Sequence, residues 1–202
     1  MVLKNIFAAL LALLTWFALG LQLYLIKGSL ANYFSYFTIL CNLLIALNLT
    51  AVTLAPKSVM GKFAAKLTVQ SAITLYIFIV ALVYNTVLRG LVPLAGWDAV
   101  ANELLHVVIP ILFVVYYMSY KTAGNLRWTN GFPWLLFPFF YLVYSLIRGA
   151  WVGWYPYPFL NADKFGYAQV FLNIGAMILV FLVGALVLIA ISRTLKENTK
   201  QG

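Results

Sequence analysis

The chain has 202 residues, of which 65% are hydrophobic and only 8% charged, and its formal net charge is +9. A water-soluble domain needs a polar surface that this composition cannot supply, so the soluble classes are excluded. With one cysteine there is no internal disulfide, and with one histidine as well a zinc or haem centre is short of ligands; no metal and no cofactor is expected.

Crossing a hydrocarbon core of about 30 Å takes about 20 apolar residues at a rise of about 1.5 Å each. The first such run is expected at 6–26, between Lys4 and Lys27, and the second at 33–55, stopped by Pro56 and Lys57. The third covers 67–88 and ends at Arg89; the fourth covers 102–120 and is closed by Lys121. The fifth is expected at 132–150 and the sixth at 167–192, before Arg193. The first run exceeds a secretory signal core of about 7 to 15 residues, and no small-x-small cleavage pattern follows it, so it reads as a retained helix. The expected fold class is therefore all-α: a polytopic six-helix transmembrane bundle, one transmembrane domain over 1–202. Helices are preferred because lipid offers the backbone no partner, and the runs lack the alternation of barrel strands.

Lys4, Lys57, Lys62, Lys66, Lys121, Arg127, Arg193, Lys196 and Lys200 fall on one side of these spans, and Lys27, Arg89, Arg148 and Lys164 on the other. The positive-inside rule places the first group, and with it both termini, in the cytoplasm, as for a multi-pass protein of the cell membrane. Asp98, Glu103 and Asp163 lie on the outer side, so the positive charge is a topology signal. Scattered juxtamembrane lysines form no nucleic-acid-binding pattern; the expected partners are membrane lipids.

The polar residues inside the apolar runs gather in the outer third of the spans. Thr38 with Asn42, Asn85 with Arg89, Asn102 with His106 and Gln169 with Asn173 are spaced i, i+4, and Ser145 with Arg148 is i, i+3, so each set shares a helix face. Facing lipid would cost several kcal/mol per group, so the sets, together with Glu103, are expected to point inward and line a polar pocket near the outer leaflet. Thr38 and His106 lie at one depth. A hydroxyl beside a neutral imidazole forms the minimum of a nucleophile and general base, and Glu103 or Asn102 is placed to orient the ring.

Each of these groups also has a structural reading. Thr38 can bond the carbonyl one turn back, Asn42, Asn85 and Asn173 can link helices, and Arg89 and Arg148 can snorkel to the interface. Cys41, three residues after Thr38, reads as a small packing residue. Pro110 cannot donate to the carbonyl of His106, which predicts a local distortion there, and Pro138 should do the same to Trp134.

The stretch Tyr33-Phe34-Ser35-Tyr36-Phe37-Thr38-Ile39-Leu40-Cys41-Asn42 and the stretch Glu103-Leu104-Leu105-His106-Val107-Val108-Ile109-Pro110 resemble the threonine and histidine segments of the androgen-induced and androgen-dependent membrane hydrolases. Tyr144-Ser145-Leu146-Ile147-Arg148-Gly149-Ala150, followed by Gly153-Trp154-Tyr155-Pro156-Tyr157-Pro158-Phe159, resembles their bacterial six-helix branch. The resemblance implies cleavage of fatty acid esters of hydroxy fatty acids, with Thr38 as nucleophile and His106 as base. An acyl-ester lipid is then the expected substrate. A non-catalytic lipid-binding protein and a small-molecule transporter stand as alternatives, and the transporter sits less well with polar groups near one face.

Overall fold

The computed structural model describes residues 2–120 and 126–198, without the side chains of 120 and 194–198. Lys121 and Lys200, and the side chain of Lys196, lie outside the described residues. All regular structure among the described residues is helical, and six helices are long and apolar enough to cross a membrane. They are α1 (Val2–Tyr24), α2 (Phe37–Leu54), α3 (Leu67–Leu88), α4 (Gly96–Ser119), α5 (Trp128–Val152) and α6 (Ala162–Arg193, with the helix running on to Asn198). The chain divides into two compact units, Met1–Gly124 and Asn125–Gly202.

The spans match the apolar runs, with shifts at the ends that have local causes. Lys4 lies inside the first turns of α1, not before it. The second helix begins at Phe37, four residues later than the hydropathy suggests, because Ser29 caps a separate short helix, Leu30–Tyr33, through a bond from the Asn32 N–H to its hydroxyl. The Tyr33 hydroxyl donates to the Leu19 carbonyl at 2.8 Å and pins this short helix to α1; burial pushes its pKa up to about 12, so the donor stays protonated. Thr38 consequently occupies the second position of α2, not a point well inside it.

In the first unit α1 packs mainly on α2. Its buried residues, Ala8, Leu11, Ala12, Thr15, Ala18 and Leu19, recur at helical spacing as one stripe, while Leu10, Leu13 and Phe17 stay exposed as lipid-facing side chains would. Small residues in that stripe let the backbones approach, which is how helices gain contact where burial from water is not available as a driving force. The buried Thr15 hydroxyl bonds back to Leu11 O at 2.7 Å, so it needs no partner outside its own helix.

In the second unit the distortion expected at Trp134, four residues before Pro138, is present. A short helix, Gly131–Trp134, ends there, and Pro138 falls in the first turn of Leu136–Val152, where its missing N–H is not needed. Gly153 closes that helix at φ 65°, a left-handed conformation suited to glycine. The loop beyond it folds back, and Tyr155 and Leu160 join Ala162, Val170 and Ile174 in a local core.

Candidate active site

Two π-helical turns shape one end of the first unit: Tyr84–Leu88 at the end of α3 and Leu104–Val108 near the start of α4. In the first, Arg89 N–H bonds to Tyr84 O at 2.7 Å, and in the second Ile109 N–H bonds to Leu104 O; both are five residues apart. Such wide turns interrupt helices mostly where side chains have work to do. The distortion expected from Pro110 is present, and a side chain takes up the carbonyl of Leu105, the residue before His106. The reason is the register: in a π-turn residue 105 pairs with residue 110, and proline has no N–H to give. Asn42 fills the place, its Nδ2 donating to Leu105 O at 3.1 Å and to Thr38 O at 2.9 Å. Both amide hydrogens of this fully buried side chain are thereby used, and they tie α2 to α4.

The tie sets Thr38 against His106. Thr38 Oγ1 lies 3.2 Å from His106 Nε2, and His106 Nδ1 lies 2.9 Å from the main-chain carbonyl of Asn102. A carbonyl oxygen only accepts, so Nδ1 carries the proton and, in the neutral ring, Nε2 is the acceptor that faces the threonine hydroxyl. The orienting group is thus the backbone of Asn102, not the Glu103 carboxylate. Thr38 is buried and His106 half-buried, which keeps the pair largely out of bulk solvent.

Around the imidazole lies a connected polar shell. Tyr84 stacks on the His106 ring with centroids 4.4 Å apart and planes at 27°. Its hydroxyl accepts a short bond from Asn102 Nδ2 and donates to Glu103 Oε1 at 3.3 Å. Glu103 Oε2 in turn takes Arg89 at 2.8 Å, and the Arg89 guanidinium lies 4.9 Å from the Tyr84 ring centre while its Nε donates to Asn85 Oδ1 at 3.0 Å. The bond to Glu103, which favours the charged guanidinium, raises the Arg89 pKa above its ordinary value. Asn85 completes its own bonding through Nδ2 to Ala81 O at 2.7 Å. Of the residues singled out in the sequence, Thr38, Asn42, Asn85, Arg89, Asn102, Glu103 and His106 come together here.

Tyr84 was not among them. Its only signal is its place one residue before Asn85, and an aromatic ring at a helix end reads first as an interfacial anchor.

The other predicted residues belong to the second unit. Ser145 is buried in α5, and Arg148 lies 4.8 Å from the Trp154 ring centre. Gly149 passes against Tyr155 so closely that a Cβ would collide with its ring. Asn173 donates to Phe159 O at 2.8 Å and accepts from Gln169 at 3.0 Å, so it fastens the connecting loop to α6.

Compared with protein-family models, curated proteins and solved structures, the chain finds no match. Its class rests on its own architecture: an all-α, multi-pass membrane protein with six apolar helices.

Proposed function

We propose that this protein is an intramembrane lipid-ester hydrolase in which Thr38 is the nucleophile and His106 the general base. The observation that carries the reading is the relay from Thr38 Oγ1 through the His106 ring to the Asn102 carbonyl, at 3.2 and 2.9 Å. An unaided hydroxyl is a poor nucleophile; a base within hydrogen-bond reach, itself held in one tautomer, is what activates it.

In the first half-reaction the Thr38 proton passes to His106 Nε2 as Oγ1 bonds to the ester carbonyl carbon. The tetrahedral intermediate collapses, the ester C–O bond breaks, and the leaving alkoxide takes the proton from the imidazolium. A water then gives its proton to Nε2, attacks the acyl-threonine and releases the fatty acid, and the proton returns to Thr38. Thr38 stands in the first turn of an 18-residue helix, so the positive end of the α2 dipole lies beside the developing oxyanion. The Tyr84 ring and the Asn102 carbonyl hold the imidazole in plane as its charge changes. The substrate class fits the setting: an acyl ester with long apolar chains reaches the site sideways from lipid.

The orientation follows the same reading. At the site end of the first unit Lys27 pairs with Asp98 and Arg89 with Glu103, which cancels the charge there and leaves Lys4, Lys57, Lys62 and Lys66 to set the cytoplasmic side. The site then opens toward the outer leaflet.

The bond between Thr38 and His106 also joins α2 to α4, which is all that a non-catalytic lipid binder would require of it. Labelling with a fluorophosphonate probe separates the two readings, because only a nucleophile captures it covalently. Capture at Thr38, lost in Thr38→Ala and His106→Ala, is the expected result. A folded wild-type protein that never labels and cleaves no acyl ester sinks the hydrolase.

A further inference from the structure

At the opposite end of the first unit the connection between α2 and α3 forms a short bracket, the helix Val59–Ala64. Four contacts make it rigid. The Ser58 hydroxyl accepts from Gly61 N–H at 3.0 Å and donates to Ala55 O at 2.7 Å. Gly61 lies so close to Ala55 O that any Cβ would collide with it, and the buried Asn48 donates to Ala64 O at 2.9 Å. One face, Gly61 and Ala64, is therefore fixed to the protein.

The other face is apolar and uncovered: Val59 is 88% exposed, Met60 70% and Phe63 55%, and Leu54 just before the bracket is 81% exposed. Exposed Lys57, Lys62 and Lys66 are interleaved with these side chains, and Lys66 Nζ lies 5.4 Å from the Phe63 ring centre. The first unit has two acids, Asp98 and Glu103, and both are paired with cations at the far end. Three cations within ten residues thus have no acid of their own unit beside them. Apolar tips flanked by lysines, on a short helix that joins two spanning helices at one end of the unit, match an acyl–headgroup interface: the tips enter the acyl region while the ammonium groups reach the phosphates.

We propose that this bracket is a docking site for anionic glycerophospholipid of the surrounding membrane, with Lys57, Lys62 and Lys66 on the headgroup phosphates and Val59, Met60 and Phe63 against the chains. The assignment does not depend on the hydrolase reading. Charge decides the occupant, since a zwitterionic surface has no net charge to attract the lysines and a second copy of the same basic face repels them.

The test is native mass spectrometry of the full-length protein released from detergent with equimolar phosphatidylglycerol and phosphatidylcholine. Wild type should retain phosphatidylglycerol preferentially. Each lysine near an anionic surface adds about a fivefold preference, so the triple variant Lys57→Gln/Lys62→Gln/Lys66→Gln should lose a preference of roughly an order of magnitude or more, while Lys27→Gln keeps it. Val59→Ser/Met60→Ser should lower retention of both lipids alike. If the triple variant is not recovered folded, Lys62→Glu on the exposed face gives the same reading. Unchanged preference in a folded variant overturns the proposal. So does equal competition by soluble glycerol phosphate, or disulfide-linked dimers of Met60→Cys on a Cys41→Ser background in nanodiscs, which would mean that a free anion or a second copy occupies the face.

Discussion

His106 Nε2 faces Thr38 Oγ1 at 3.2 Å because Asn42, rooted one turn along α2 from Thr38, holds the Leu105 carbonyl next to His106. One buried amide thus sets the distance between two side chains that are 68 residues apart.

The chemistry of the pair predicts a graded response at position 38. Thr38→Ser should keep probe labelling and ester cleavage, and Thr38→Val, which has the same shape without the hydroxyl, should abolish both. His106→Gln should lower turnover about 10² to 10⁴-fold, the usual worth of a positioned base. Mass mapping of the labelled peptide checks the assignment; labelling that persists in Thr38→Val and moves with Cys41 would name another nucleophile.

Asn42 should matter for stability as well as for rate. Asn42→Leu leaves the Leu105 carbonyl buried without its donor, an expected cost of about 1–3 kcal/mol. Unfolding in mixed micelles measures it, and a variant as stable as wild type would show that the π-turn finds another partner.

Tyr84 is a positioning residue in this arrangement. Tyr84→Phe keeps the stack on His106 and loses the bonds to Asn102 and Glu103, whereas Tyr84→Ala loses all three. The expected order of kcat is wild type, then Phe, then Ala, with KM changed less than kcat. Because Tyr84 and Glu103 act through one bond, a double-mutant cycle between Tyr84→Phe and Glu103→Gln should be non-additive; simple additivity would count against the shell.

The ion pair at the rim should contribute little to folding. The Arg89 and Glu103 side chains are 45% and 43% exposed, and pairs of that kind are worth about 0–1 kcal/mol and weaken with salt. Arg89→Gln should therefore leave the unfolding midpoint nearly unchanged in high salt, and a large loss there would show that Arg89 is needed for packing.

In the second unit Gly149→Ala should destabilise by about 1–3 kcal/mol through collision with the Tyr155 ring. On a Tyr155→Ala background, where the ring is gone, the same substitution should cost less. Thermal unfolding of the two variants decides it, and an innocuous Gly149→Ala would mean that the loop gives way freely.

Much of this protein was legible from its residues in order. Apolar runs bounded by charge locate the six helices, because spanning length and backbone satisfaction in lipid are properties of a single segment and need no partner. The i, i+4 polar sets, and with them Thr38, Asn42, Asn85, Arg89, Asn102, Glu103 and His106 as a group apart from the apolar background, are visible for the same reason. Beyond the pairing of Thr38 with His106, which atoms meet was not. Each π-turn shifts the helix face by about one residue, roughly 100°, and a spacing rule built on 3.6 residues per turn cannot register that. Only the folded chain gave the Leu105 carbonyl to Asn42, committed Asn42 to holding helices and brought Tyr84 onto the imidazole. Only there did Asn173 fasten its own loop. Those outcomes depend on helix rotation and on contacts between distant segments, and a one-dimensional pattern carries neither.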